Sequence, residues 1–429
     1  MNLTFVVAAY NTQYSDEAKT VRLRWKGGNI PVSVSTSFFK QNLSIRPESD
    51  VSGAIIRSLE TWENIANIKF VQVSSDKLSV SPSGKSGDGV SLITIEQTPE
   101  NLLLFGSDSD EISARTRVFY NSKGFITEAD IVLNPYQQFS TDGSIGTFDL
   151  EATLTHEIGH LLGLDHSSVI GATMQASQGK NGVYNLPGFT SRTLAEDDIA
   201  GIRTIYGANL SEENCCGSVN GKLALPNRKS AAGLQVWLED SYDGRVVAGV
   251  LTDSEGDFTI EGLPVGEYKV YAKDFVNKNT KNSYSAEELG EIEVVKGKKT
   301  NLPEKLLQNT KNFELQYIGF NGQLSELPVP VNAGKSYMIY LGGKNLNANE
   351  LVIGFNSPYI KVTPNSITTH DYGKEISVIS FEIKLSPQTP FGEYSFFVKK
   401  QNAAKDISIG SLTVENFVNN WNSYLINEN

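Results

Sequence analysis

Three of the four histidines in this 429-residue chain fall within eleven residues, His156-Glu157-Ile158-Gly159-His160-Leu161-Leu162-Gly163-Leu164-Asp165-His166. On a helix, positions i and i+4 lie one above the other, so His156 and His160 project from one face and can share a metal ion. Glu157 stands a little round the helix, within reach of a water on that metal without being a ligand. Gly163 suits the left-handed backbone that ends a helix and turns the chain sharply. The turn brings His166 back as a third imidazole and leaves the fourth position of a tetrahedral zinc site open. Zinc lowers the pKa of a water in that position to about 7, which supplies a nucleophile at neutral pH. Glu157 could take a proton from such a water as it attacks an electrophile and return it to the leaving group. The competing reading is a pair of satisfied core histidines, yet core packing has no reason to set three imidazoles at these offsets. With only His370 left over, neither a Ser/His/Asp nor a Cys/His arrangement is credible.

The elements around this window follow from periodicity. Asp50–Ile65 repeats apolar residues at helical spacing (Val51, Ile55, Ile56, Leu59, Trp62, Ile65). Leu150–Gly163, which holds the histidines, and Leu194–Tyr206 are two further predicted helices. Val21–Trp25, Ile30–Val34, Phe70–Val73 and Val90–Ile95 read as strands. Ser113–Tyr120 and Phe125–Leu133 read as a hairpin about Asn121-Ser122-Lys123-Gly124. Helices alternating with strands over about 205 residues indicate an α+β or α/β domain. Gly207–Gly217 is small and polar, as a linker would be. Beyond it come short alternating strands separated by turns such as Asp253-Ser254-Glu255-Gly256, the punctuation of β-sandwiches.

The histidine window resembles the metzincin metalloproteases, and its continuation Leu162-Gly163-Leu164-Asp165-His166-Ser167-Ser168 resembles their matrixin-like branch. Metzincins carry a methionine in a tight turn under the metal ligands, and Met174, in Gly171-Ala172-Thr173-Met174-Gln175-Ala176, fits that Met-turn. Asp197-Asp198-Ile199-Ala200-Gly201-Ile202, ending at Tyr206-Gly207, is similar to the closing matrixin helix. The resemblance implies that Asp198 helps hold the Met-turn; a solvated acidic face is the bland alternative. It covers about residues 20–207. It also implies that Ala114–Tyr120 is an exposed edge strand that binds the substrate backbone by strand addition, with Glu128–Asn134 as the inner neighbour. Specificity would be shaped by residues 184–190. Residues 216–305 resemble carboxypeptidase-regulatory-like or prealbumin-like sandwiches, and the last block resembles a generic immunoglobulin-like module.

The sequence also departs from the matrixin pattern. No cysteine-switch motif is visible, and too little chain precedes the first strand for a matrixin prodomain. A second, structural zinc would need imidazoles that this chain lacks. Oxygen ligands cluster at Asp108, Asp110, Glu111 and Asp142, so calcium is a candidate there, although exposed loop acids explain the same residues. Cys215 and Cys216 are adjacent; a bond between neighbours closes a small strained ring, so two ordinary thiols in a linker are expected.

The expected architecture is multidomain. An α+β metzincin catalytic domain (residues 1–209, a twisted mixed sheet with three helices) precedes two all-β sandwiches (216–305 and 310–416) and a tail (417–429). Net charge is −12, with 37 Lys+Arg against 49 Asp+Glu, and no dense basic patch, which argues against nucleic-acid partners. No apolar run reaches the roughly 18 residues of a membrane span. Met1–Tyr10 is apolar without a positive flank, either the remnant of a signal peptide or a first strand. Expected is an extracellular or cell-surface enzyme whose export signal is incomplete or absent here, acting on protein or peptide substrates. Its β modules are free to bind a surface, a polymer or a protein. The alternative is a surface adhesion or assembly protein with a vestigial metzincin domain; Glu157 and all three histidines argue against it.

Overall fold

The computed structural model describes residues 11–16, 21–40, 43–81, 87–106, 112–183, 192–209, 211–226, 229–274, 283–320, 322–400 and 404–415. Met1–Tyr10, Asp108, Asp110, Glu111, the specificity segment 184–190 and the tail 417–429 lie outside the described residues. So do the expectations placed on them.

The first region is built on a mixed sheet. Its strands are β1 (Arg24–Trp25), β2 (Asn29–Ser35), β3 (Lys69–Ser75), β4 (Leu92–Thr94), β5 (Ala114–Tyr120) and β6 (Phe125–Leu133). They run in the order β1-β6-β4-β2-β3, all parallel. Only β5 is antiparallel, pairing along the other side of β6 from Ala114 opposite Leu133 to Tyr120 opposite Ile126. That register makes β5 the edge of the sheet.

Two helices cross behind the strands, α1 (Val51–Glu63) and α3 (Leu150–Leu161), and a third, α4 (Glu196–Tyr206), closes the region. Each of the first two starts on an aspartate. Asp50 accepts from the Gly53 N–H and Asp149 from the Ala152 N–H, satisfying donors a helix start leaves free. The helix α3 is buried nearly all round, although it carries Glu151, Thr153, Thr155, His156, Glu157 and His160 among its apolar residues. Trp62 of α1 is fully buried and donates from Nε1 to the Thr155 carbonyl of α3 at 2.9 Å. One apolar core, including Ile30, Ile55, Trp62, Ile131, Leu154 and Met174, joins sheet and helices.

A further single-turn helix, α2 (Pro99–Leu102), was not expected. Its start was legible, with Thr98 capping the Asn101 N–H and Pro99 in the first turn, but one turn is too short for periodicity to register. The expected strand Val21–Trp25 is reduced to Arg24–Trp25. The last helix begins at Glu196 rather than Leu194, because the Ala195 N–H is turned onto the Asp198 carboxylate.

Beyond α4 the chain is β-sandwich-like. Strands Val246–Leu251, Gln235–Asp240, Gly266–Lys273 and Glu287–Val294 make one sheet, and Asp257–Pro264, Cys215–Ala224 and Lys299–Asn301 lie in another. Val219, Val236, Ile260 and Val270 are among the residues that fill the space between them. A second pair of sheets, from Glu314 to Val414, encloses Ile339, Phe381, Phe396 and Leu412. Among the described residues no helix is long and apolar enough to cross a membrane.

Two expectations about the connection need correction. Cys215 and Cys216 lie in a strand, not in the linker, which leaves residues 207–214 between α4 and that strand. They are joined to each other by a disulfide rather than standing as separate thiols.

The three regions meet behind the site. Val169, Ala172 and Ala195 pack with Trp237, Tyr271, Ile407 and Ile409 in one buried cluster. The Ile170 N–H donates to the Ile409 carbonyl at 3.0 Å, and the Gly249 N–H donates to Asp197 Oδ1 at 2.7 Å.

Candidate metal centre and cleft

His156 and His160, one turn apart on α3, and His166, after the turn, come together. Their ring nitrogens lie within 4.8 Å of one another, and His160 Nε2 is 3.2 Å from His166 Nε2. Gly163 makes the return with φ +100°, and a Cβ there would sit 2.6 Å from the Leu23 carbonyl oxygen. Only glycine is accommodated.

The orientation of two rings is fixed from behind. His156 Nδ1 lies 2.7 Å from the Thr173 carbonyl, and His160 Nδ1 lies 2.9 Å from the Leu164 carbonyl. A carbonyl can only accept, so each Nδ1 carries the proton and each Nε2 presents its lone pair to the centre. Burial first, and then a neighbouring histidine, hold all three imidazoles down to about 3, so they stay neutral at pH 7. Neutral imidazoles converging by lone pairs are what a zinc ion requires.

Glu157 is 4% exposed. Burial pushes its carboxyl up to about 7, opposed by a hydrogen bond from Thr116 and the charge of Arg115. The Thr116 hydroxyl is 2.5 Å from Glu157 Oε2 and 3.1 Å from the Glu157 carbonyl, which ties the edge strand β5 to the middle of α3.

Met174 is 1% exposed and lies against the helix at Gly159, where an added Cβ would be 2.2 Å from its sulfur. Asp198 holds this turn. Its carboxylate accepts from the N–H groups of Thr173 at 2.8 Å, Met174 at 3.0 Å and Ala195 at 2.9 Å. Burial raises Asp198 to about 6 against those bonds. Because Thr173 also supplies the carbonyl behind His156, Asp198 acts on the histidine through one residue. Asp197 accepts from Ser167 Oγ at 2.6 Å as well as from Gly249.

These groups open onto a cleft of about 750 Å³, lined by the three histidines, Glu157 and strand β5 among others. His370 is elsewhere, 2.7 Å from Ser380 Oγ. Asp142 accepts from the N–H and hydroxyl of Ser144, as a turn acid does. Thr116, Arg115 and Gly159 were not singled out from the sequence. A glycine inside a helix that carries ligands was a signal for the last; for the other two, which faces of an edge strand meet α3 and the cleft is a tertiary fact.

Residues 107–207 match the family model described as matrixin, and residues 218–306 match that of the carboxypeptidase regulatory-like domain. Metalloendoproteinase 1 of Glycine max is 29% identical over 191 residues, covering 43% of this chain and 53% of its own length. Interstitial collagenase of Oryctolagus cuniculus is 28% identical over 159 residues, covering 37% and 29%. Metalloendoproteinase 5-MMP of Arabidopsis thaliana is 50% identical over 62 residues, 14% and 15% of the two chains. The chain thus spans about half or less of the length of these relatives. The three imidazoles, the buried glutamate and the methionine turn all lie within the residues that match the matrixin model, and the carboxypeptidase regulatory-like match follows in a β-rich C-terminal half.

Proposed function

We propose that the chain is a zinc metalloendopeptidase, and that His156, His160 and His166 hold one catalytic zinc. The observation that carries this reading is the convergence of three neutral imidazoles, two of them locked by carbonyls, beside a buried carboxylate. The donor set fits zinc: three nitrogens, with room on the cleft side for a fourth ligand. Bound there, the ion would supply Lewis-acid polarisation of the scissile carbonyl and acidify a water.

The remaining work falls to the chain. Glu157 takes the proton at Oε1 or Oε2 and returns it to the leaving nitrogen, and its raised pKa suits both halves of that exchange. Thr116 keeps the carboxylate aimed. The outer edge of β5 offers backbone groups to an extended peptide, which positions the scissile bond over the histidines. Asp198 and Met174 keep the floor of the site in place. Protein substrates and action outside the cell accord with the metalloendoproteinase relatives. An adhesion role with a vestigial site is not favoured. The reading divides the chain at about 209, 216–305 and 310–416, with the sandwiches as accessory modules.

Glu157→Ala tests the assignment. The variant should retain zinc by elemental analysis and lose roughly 10²–10⁴-fold of peptide hydrolysis, measured by mass spectrometry of peptides cut from a protein mixture. Cleavage at the wild-type rate would remove Glu157 as the base.

A further inference from the structure

The cleft holds one cation to which hydrolysis assigns no task. Arg115 sits on β5 opposite Val132 and lines the same cleft as Glu157 and the histidines. Its charge is felt at Glu157 and at His166, lowering the pKa of each. Its Nε is buried and has no hydrogen-bond partner, and among the described residues no carboxylate lies within 4 Å of its guanidinium.

The next arginine along the strand shows the difference. Arg117 reaches Asp130 at 3.3 Å and lies 4.9 Å over the Phe119 ring, so its charge is answered inside the protein. Arg115 is on the same strand, two residues away, and forms no such ion pair among the described residues; the acidic group on which its charge is felt is Glu157, the proposed base. A half-buried guanidinium without a partner carries a desolvation cost that a bound anion would relieve.

A peptide running beside β5 would present successive side chains to alternate sides, and only some of them would face Arg115. The planar fork of arginine matches a carboxylate in two-point geometry. We propose that Arg115 selects peptides with an aspartate or glutamate at one fixed position close to the cleaved bond. This rests on the peptidase reading, and it names the substrate class of that site.

Two selections from one random peptide library, with every peptide amidated at its C-terminus, test it. In the first, wild-type protein cleaves the library and the cut sites are read. In the second, zinc-loaded Glu157→Ala protein captures peptides without cutting them. Asp and Glu should be enriched about tenfold at one position in both. Arg115→Gln should abolish that enrichment, and Arg115→Glu should replace it with Lys and Arg, at zinc content and thermal midpoint close to those of the parent. No acidic enrichment in the parent proteins, or enrichment that survives Arg115→Gln, overturns the proposal. Acidic peptides captured through Arg115 but never cut would uphold recognition and sink the peptidase reading instead.

Discussion

Thr116 Oγ1 lies 2.5 Å from Glu157 Oε2, so the strand expected to bind a peptide also holds the carboxylate expected to take its proton. Backbone alignment of substrate and aim of the base are therefore set by one element. Thr116→Val keeps the shape and deletes the hydroxyl. A hydrogen bond to a charged group contributes about 1.5–3 kcal/mol, so kcat/KM should fall about 10- to 100-fold with zinc content unchanged. The same bond lowers the Glu157 pKa, so its loss should move the acid limb of the pH–rate profile to higher pH. An unmoved limb in a slower enzyme would assign Thr116 to packing alone.

Gly159 faces Met174 so closely that a methyl group has no place: its Cβ would meet the sulfur at 2.2 Å and Trp62 Cζ2 at 3.0 Å. Both neighbours are buried, so neither can swing into solvent. Gly159→Ala should destabilise the protein by about 1–3 kcal/mol, as overpacking does. Chemical denaturation of the zinc-loaded protein measures this, and a change of a few tenths would show that Met174 repacks freely.

Histidine bookkeeping sets the metal stoichiometry. His370 is engaged with Ser380 in a distant sheet, and carboxylates alone favour harder cations than zinc. One zinc per chain should survive exhaustive dialysis, and His166→Ala should lose most of it. Chelation should lower the thermal midpoint, since an ion bound only to the native state adds to its stability. Two tightly held zinc ions would mean a second ligand set beyond these three histidines.

Glu393 is buried where the strand Gly392–Lys400 packs near the methionine turn. Burial pushes its carboxyl well above the ordinary range, and the charges of Glu415, Asp198 and Glu196 push the same way. Glu415 accepts from Thr193 at 3.1 Å, and Glu196 has Arg245 at 3.9 Å. The sign follows: a carboxyl with a raised folded-state pKa contributes stability that is full below about 4.5 and is lost as pH rises through the folded value. Glu393→Gln removes that loss. Between pH 5 and 9 the thermal midpoint of the variant should decline less than that of wild type; parallel declines would place the titration elsewhere.

Spacing alone made the histidine site legible, because ligands at i and i+4 followed by a glycine turn are local geometry. The helices α1 and α3 were legible for the same reason, being long and periodic. Arg115 and Thr116 were not, because the roles of residues on an edge strand depend on what the tertiary fold lays against each face. Asp198 could be read only through resemblance: its three N–H partners come from residues up to 25 positions away. The disulfide between Cys215 and Cys216 ran against the strain argument that sequence offered.

The cluster of Val169, Ala172 and Ala195 with Trp237, Tyr271, Ile407 and Ile409 bears on how such a chain can be cut and recombined. A fragment ending near residue 209 would turn these three small apolar side chains, together with the unpaired N–H of Ile170, out to water beside the methionine turn. A transplanted sandwich would have to arrive with its own matching Trp and Ile patch. The modules are accordingly expected to be inherited and exchanged as one block, so a hybrid enzyme built from this chain should keep the joint and vary the rim.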